Sequence, residues 1–153
     1  MARTDQRTNL IKGTATNDSA TAGYVGEYVS SEISTSTSYP SSSVRGDLTS
    51  ISLTAGDWDV TGTVMMIRNG ATVTENEMAL STTSGDSTAT TTFGINRVVQ
   101  VSPTTTASEV VSNSIPCYRY SLSATTTIYL KYEAIFSVAT PQARGRISAR
   151  RVR

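Results

Sequence analysis

The amino-acid sequence predicts an all-β chain that folds as a jelly-roll-like β-sandwich with extended N- and C-terminal arms. The 153 residues include 22 Ser and 26 Thr, and Thr is stiff at χ1 and suits a pleated strand better than a helix. Several segments alternate strictly between apolar and polar residues, which is typical of half-buried strands. Turn residues separate these segments, so roughly eight short strands fit the chain.

The first 22 residues, "MARTDQRTNLIKGTATNDSATA", are polar and show no periodicity. They predict an N-terminal arm, 1–22, that is either disordered or ordered against a neighbouring subunit. Leu10 and Ile11 are the apolar pair of this arm, and we expect them to anchor it on a partner. Residues 23–140 are assigned to the sandwich domain.

The sandwich is expected to begin with a strand in "GYVGEYVSSEIS", residues 23–34, where tyrosines alternate with aliphatic residues. A loop follows in "TSTSYPSSSVRGD", which contains Pro40 and a run of serines.

The stretch "LTSISLTAGDWDVTGTVMM", residues 48–66, carries the strongest strand signal. Two alternating runs meet at Gly56, which predicts a hairpin. The second run places Asp57 and Asp59 on one face and a set of core candidates on the other, namely Trp58, Val60, Gly62, Val64 and Met66.

Later segments predict further strands. Asn69-Gly70 is a hairpin-turn dipeptide, and strands are expected in 74–82, 92–101 and 115–122. In "TTTIYLKYEAIF" one face is expected to enter the core or a trimer contact, with Ile128, Leu130, Tyr132 and Phe136 among its residues. The opposite face carries Tyr129 and Ile135, which suit a subunit contact that would protect exposed sheet edges.

The composition argues against most enzyme classes. Histidine is absent and Cys117 is the single cysteine, so Ser-His-Asp catalysis, His-ligated metals and Cys-rich zinc sites are not expected. No phosphate-binding glycine loop occurs. We therefore expect no enzyme activity, no cofactor and no metal. Cys117 is expected to be buried and inert. No signal peptide or run of roughly 20 apolar residues is present, and no membrane partner is expected.

Two acidic or mixed motifs have ordinary structural interpretations. Asp57 and Asp59 would lie about 7 Å apart on one side of a strand, which permits a carboxylate pair. Solvated hairpin carboxylates are favoured over a cation site or glycosidase-type catalysis, because Asp is common beside turns. The tripeptide Arg45-Gly46-Asp47 matches a cell-adhesion motif, but a contact with a neighbouring subunit is favoured over integrin binding.

The last segment, 141–153, is predicted to be a basic C-terminal strand or arm. Five arginines without an acidic residue among them are candidates for docking on an acidic surface of a capsid protein or another subunit, because guanidinium groups pair bidentately with carboxylates. A solvated tail is the alternative, and nucleic acid is not an expected partner. These arginines are Arg144, Arg146, Arg150, Arg151 and Arg153.

Three segments carry a resemblance. "LTSISLTAGDWDVTGTV" and the preceding "TATNDSATAGYVGEYVSS" are similar to segments of small tailed-bacteriophage virion proteins and of phage-fibre heads, and "TTTIYLKYEAIF" resembles the penultimate strand of trimeric jelly-roll heads. The resemblance covers about residues 14–136. It implies a homotrimer on a virion, assembled in the host cytoplasm, that binds major capsid or tail proteins as a capsid decoration (cement) protein or as a tail or fibre component.

A receptor-binding module that recognises host surface glycan is the alternative function. Six tyrosines are the candidates for stacking on sugar rings, although strand tyrosines more often lie in cores or interfaces. They are Tyr24, Tyr28, Tyr118, Tyr120, Tyr129 and Tyr132.

Overall fold

The computed structural model describes residues 20–85, 97–101 and 109–153. These residues form eight antiparallel strands and two four-stranded sheets that pack face to face. The strands are β1 (Tyr28–Ser38), β2 (Gly46–Leu53), β3 (Gly56–Ile67), β4 (Thr72–Ser81), β5 (Arg97–Val101), β6 (Val110–Leu122), β7 (Thr126–Ser137) and β8 (Gln142–Arg151). The predicted all-β sandwich is confirmed, and the described residues contain no helix that could span a membrane.

The strand order defines a jelly roll. Sheet A has the order β1-β8-β3-β6, and sheet B has the order β2-β7-β4-β5. Consecutive strands therefore alternate between the two sheets, except that β4 and β5 are neighbours in sheet B. This wrapping of strand pairs around a common core is the jelly-roll arrangement of two Greek keys.

The two predicted hairpins are wrong. The turn before Gly56 joins β2 in sheet B to β3 in sheet A, and the turn at Asn69-Gly70 joins β3 to β4 in sheet B. Asn69 and Gly70 do adopt the left-handed backbone of a tight turn, with φ of 49° and 80°. The turn chemistry was correctly recognised, but it redirects the chain to the facing sheet instead of the neighbouring strand.

The core lies between the inner faces of the two sheets. Six of the seven predicted core or trimer residues are buried within a single chain, so they serve the core of the sandwich and are not available to a trimer contact. Their exposed fractions are 0% for Trp58, Val60, Val64, Ile128 and Leu130 and 4% for Tyr132, while Phe136 is partly buried against the same cluster.

Two inward-facing glycines lie close to leucines of the facing sheet. A Cβ on Gly62 would lie 2.7 Å from Leu130 Cδ1, and one on Gly145 would lie 2.6 Å from Leu48 Cδ2. Both distances are far below van der Waals contact. At Gly145 the new Cβ would also meet the backbone oxygen of Thr63 at 2.6 Å, so this position requires a residue without a side chain, whereas at Gly62 the neighbouring leucine side chain would have to shift.

The C-terminal segment is a strand and not an arm. β8 pairs with β1 on one side and with β3 on the other, so it is an interior strand of sheet A and the sandwich continues to Arg151. Its alternation places Ala143, Ile147 and Ala149 in the core, which supplies the packing that a free arm would lack. The predicted N-terminal arm, with Leu10 and Ile11, lies almost entirely outside the described residues.

The first strand starts later than predicted. β1 begins at Tyr28, while Tyr24 and Val25 lie in turns and are 68% and 49% exposed. Positive φ angles at Gly23 and Gly26 shape these turns. Gly26 and Glu27 pair with the backbone of Arg151, so the segment before β1 is fastened to the end of β8.

Candidate interaction surface

The outer face of sheet A presents four exposed arginines. Along β8, Arg144, Arg146 and Arg150 point outward and are exposed, because inward positions alternate with them. Arg119 joins them from β6, two strands away. The structure therefore arranges predicted docking residues as a strip on a flat sheet face.

Arg151 must be removed from the set of exposed docking residues. It is 5% exposed, and its Nε donates to Glu27 Oε2 over 2.9 Å. The same guanidinium donates to the carbonyl of Ala55 and to the hydroxyl of Thr54, and its carbon lies 4.3 Å from the centre of the Trp58 ring. These contacts make Arg151 a structural residue that ties three segments together.

Arg150 lies opposite the aromatic residue that begins β1. It is opposite Tyr28 in the register of β1 and β8, and Tyr28 is followed toward the N terminus by the exposed residues Val25 and Tyr24. Arg146 Nη2 donates to the Tyr28 hydroxyl over 2.6 Å. A hydrogen bond with Ser148 and the positive charge of Arg146 lower the pKa of Tyr28.

The aspartates that flank Trp58 are paired with arginines. Asp59 receives two hydrogen bonds from Arg119, of 2.7 and 3.1 Å, and these bonds lower its pKa. Asp57 contacts Arg153 at 2.7 Å, and a hydrogen bond with Ser121 together with Arg153 lowers its pKa. A carboxylate that donates a proton in glycoside hydrolysis needs a raised pKa, so this geometry gives no support to that chemistry.

The Arg45-Gly46-Asp47 tripeptide is engaged inside the chain. Arg45 is 7% exposed and contacts both Glu77 and Glu133 at 2.8 Å. Asp47 pairs with Lys131, and it accepts hydrogen bonds from Ser84 Oγ and the Gly85 N–H, of 2.7 and 2.9 Å. The expected contact with a neighbouring subunit is therefore corrected to ion pairs within one chain.

The six candidate tyrosines do not form one sugar-stacking surface. Tyr132 is 4% exposed, and Tyr118 and Tyr120 pack against the core with their ring centres 5.0 Å apart. Tyr24 and Tyr28 lie at the start of sheet A. Tyr129 lies on the outer face of sheet B, on the other side of the sandwich.

Cys117 lies outside the core, contrary to prediction. An irregularity in the pairing of β3 and β6, between Val60 and Gly62, leaves two residues between the buried Ile115 and the inward-facing Tyr118. Cys117 thereby faces outward with Arg119 and is exposed. Within the described ranges, no group of three or more His, Cys, Asp or Glu side chains is arranged to hold a metal ion.

Sequence reasoning missed the buried charges. Lys131 is fully buried although its position alternates with core residues, and Glu77 is 3% exposed. Their partners lie 84 and 32 residues away in the chain. One signal was present for Lys131, since it lies between the apolar and aromatic residues Leu130 and Tyr132.

A shallow depression of about 460 Å³ crosses the outer face of sheet A. Arg144 and Arg146 contribute to its lining, as do residues of β1 and β3. Arg146 also contacts Tyr28, so the depression adjoins the first residue of β1. Arg150 does not line it, and we call Arg150 together with Tyr24, Val25 and Tyr28 the terminal group.

Comparisons with known proteins identify no family. No protein-family model and no curated protein matches the chain. Similar solved structures include the infectious bursal disease virus VP2 subviral particle, with a TM-score of 0.45 and 14% identity over 82% of this chain and 33% of that chain. The structure of the Gx strain of that virus gives a TM-score of 0.42 and 13% identity over 80% and 31%. The chain spans about a third of the length of these proteins, and its own strand order, rather than this likeness, defines the jelly roll.

Proposed function

We propose that the chain is a structural protein of a virus particle, a jelly-roll subunit that attaches to the particle surface. The finer form of the proposal is a homotrimeric protein of a tailed phage, acting as a capsid decoration or as a tail or fibre component. The observation that carries the proposal is the terminal group on sheet A, which consists of Arg150, its register partner Tyr28, and the exposed Tyr24 and Val25 that precede Tyr28 in the chain.

The composition of this surface suits a protein partner. Tyrosine and arginine are enriched among the residues that dominate binding energy at protein interfaces. Arg150 is exposed, and no ion pair is recorded for it among the described residues, so its guanidinium is available to a carboxylate of a capsid or tail protein. Arg150 is held by the pairing of β8 with two neighbouring strands, and the segment before β1 is held by backbone hydrogen bonds of Gly26 and Glu27 with Arg151. This order before binding lowers the entropy cost of docking.

Self-association is proposed to use a different surface. On the outer face of sheet B, Val101 and Ile135 flank Glu75 from opposite sides, and they are 77% and 39% exposed. Val99, 42% exposed, extends this aliphatic surface along β5. Exposed apolar groups on an edge strand favour contact with another copy of the chain.

A binding assay with particles that lack the protein tests the proposal. Purified protein should sediment with such particles, and Arg150→Glu combined with Tyr24→Ala should reduce binding at least about tenfold, as expected when interface anchors are lost. Ser52→Glu is the matched control, because it adds a negative charge to an exposed site on sheet B. Unchanged binding of the Arg150 variant would contradict this docking surface, and failure of the wild-type protein to bind would contradict particle attachment.

A further inference from the structure

The depression on sheet A arises from an irregularity in β1. Ile33 pairs with Gly145 and Thr37 pairs with Ala143, so three residues of β1 stand opposite the single residue Arg144. The two extra residues push β1 away from regular pairing and open the surface at this point. Bulges of this kind occur preferentially where a strand edge or a binding site needs a locally altered shape.

Two guanidinium groups border the opening. Arg144 and Arg146 are separated by one residue on β8, which places their side chains on the same face about 7 Å apart. Arg144 Nε donates to Ser36 Oγ over 3.0 Å, and this bond fixes the side chain while the terminal nitrogens have no other recorded partner among the described residues. Arg146 is held by Tyr28, with its guanidinium carbon 5.9 Å from the ring centre.

The rest of the lining combines hydroxyl and apolar groups. Ser34 and Thr63 are hydroxyl-bearing residues of the lining, with Thr63 Oγ1 also 3.0 Å from Ser114 Oγ, and Ile33 and Met65 are apolar residues of the lining. Hydroxyl groups match the hydroxyls of a sugar ring, and the apolar groups match its C–H face. The volume of about 460 Å³ lies within the range of small-ligand sites.

The charges narrow the choice of ligand. Two arginines favour a planar carboxylate, which each of them can bind bidentately. Glu32 also lines the depression and stands opposite Arg146, so it opposes a ligand with dense negative charge such as a polyphosphate. A single carboxylate on a hydroxyl-rich ring fits this balance better than a nucleic acid does.

We propose that this depression binds an acidic saccharide, with Arg144 and Arg146 on the sugar carboxylate and Ser34 and Thr63 on its hydroxyl groups. The site is lined by arginines and not by the tyrosines that the sequence suggested, with Tyr28 only positioning Arg146, and it does not depend on particle attachment. It would give a particle-bound protein contact with uronic-acid polysaccharides, or it would bind the free acid sugar.

Titration calorimetry with purified protein at low ionic strength tests the proposal. The probes are galacturonic acid, its linear trimer and a neutral galactose trimer. We expect the acidic trimer to bind at least about tenfold more tightly than the neutral trimer, because charge-assisted hydrogen bonds are lost with the carboxylate. Tighter binding of the trimer than of the monomer identifies a polysaccharide site, and equal binding identifies a site for the single acid sugar.

Variants locate the site. Arg144→Gln and Arg146→Gln should each weaken binding of the acidic trimer about tenfold, and Arg144→Lys should recover only part of the loss because lysine lacks the bidentate geometry. Arg119→Gln is the matched control, since it removes a charge from the same face outside the depression. Melting curves confirm that each variant folds.

Three outcomes would overturn the proposal. The first is equal affinity for the acidic and neutral trimers, or no detectable binding of either. The second is unchanged affinity in both depression variants. The third is equally tight binding of a hexaglutamate peptide, which would assign the two arginines to acidic proteins instead. None of these results bears on binding of the protein to particles through Arg150.

Discussion

The guanidinium carbon of Arg151 lies 4.3 Å from the centre of the Trp58 indole ring, in a setting where both side chains are almost fully buried. Trp58 Nε1 donates to the carbonyl of Thr54, and Arg151 donates to Thr54, Ala55 and Glu27. This stacked pair joins the segment before β1, the β2–β3 turn and the end of β8.

The stacked pair predicts that two adjacent arginines contribute very differently to the stability of the fold. Arg151→Ala should lower the free energy of unfolding by about 3 kcal/mol, because it leaves Glu27 without its buried partner and exposes the Trp58 ring. Arg150→Ala should change it by no more than about 0.5 kcal/mol, since Arg150 is exposed. Urea unfolding of both variants provides the measurement. Equal effects would show that Arg151 is not the structural residue described here.

Trp58→Ala should be more damaging still. Truncation of a fully buried aromatic side chain costs about 3 to 5 kcal/mol, and here it also removes the surface on which Arg151 stacks. A melting curve for the variant should show a large loss of stability or no cooperative transition. A variant that melts like the wild type would contradict the central place of Trp58 in the core.

Gly145 is predicted to tolerate no side chain. In Gly145→Ala the new Cβ would meet Leu48 Cδ2 and the carbonyl oxygen of Thr63, each at 2.6 Å, and the backbone oxygen cannot rotate away. We expect a loss of about 1 to 3 kcal/mol from overpacking. Thr61→Ala on neighbouring β3 is the control, because Thr61 is exposed. A Gly145→Ala variant as stable as the control would mean that the sheets are farther apart.

The buried Arg45 cluster should matter for stability and not for adhesion. Arg45→Ala leaves Glu77 and Glu133, which are opposite each other on β4 and β7, without the cation between them. Removal of one partner from a buried ion pair costs about 3 to 5 kcal/mol. Chemical denaturation should show this loss, and Glu77→Gln in the same chain should restore part of it. Integrin-dependent cell attachment to the wild-type protein would contradict the burial of Arg45.

Stability should depend on pH at the acidic and alkaline extremes. The hydrogen bonds from Arg119 lower the pKa of Asp59. Burial would raise the pKa of Asp47, but hydrogen bonds from Lys131, Gly85 and Ser84 outweigh it and lower that pKa. The two ionised aspartates therefore stabilise the folded chain fully above the ordinary aspartate pKa near 3.9. This stabilisation is lost as the pH falls through their lower pKa values in the folded chain.

At alkaline pH, ionisation of the buried Tyr39 should lower the stability of the folded chain. Burial raises the pKa of Tyr39 in the folded chain. The neutral tyrosine therefore stabilises the fold fully below the ordinary tyrosine pKa near 10, and this stabilisation is lost as the pH rises through the higher pKa of the folded chain. Because the chain has no histidine, the melting temperature should be nearly constant between pH 5 and 8. Asp59→Asn should reduce the acid dependence alone. A large change in melting temperature near pH 6.5 would contradict this account.

Local patterns predicted the inner faces of strands but not their partners. The alternation around Trp58 and Ile128 correctly identified core residues, because burial of one sheet face imposes a period of two. The turns at Gly56 and Asn69-Gly70 were misassigned, because turn chemistry specifies where a chain reverses and not which sheet it enters. The sheet assignment depends on packing between residues far apart in the chain.

The same limit applies to charged residues. The small and apolar residues Ala143, Ile147 and Ala149 contained the signal of an inner strand face, and continuation of their alternation places Arg151 inward. Its partner Glu27 lies 124 residues earlier, so the sequence alone could not show that this arginine is satisfied in the core while Arg150 remains at the surface. The irregularity in β1 that opens the depression likewise left no clear sequence pattern.

The most direct test of the central claim is a comparison of particle images with and without the protein. Electron microscopy of particles from a host that produces the virus should show regularly placed surface density in the wild type, and this density should be absent when the gene for the chain is deleted. Restoration by wild-type protein, but not by Arg150→Glu with Tyr24→Ala, is the predicted result. Identical particle images with and without the gene would contradict a structural role on the virion.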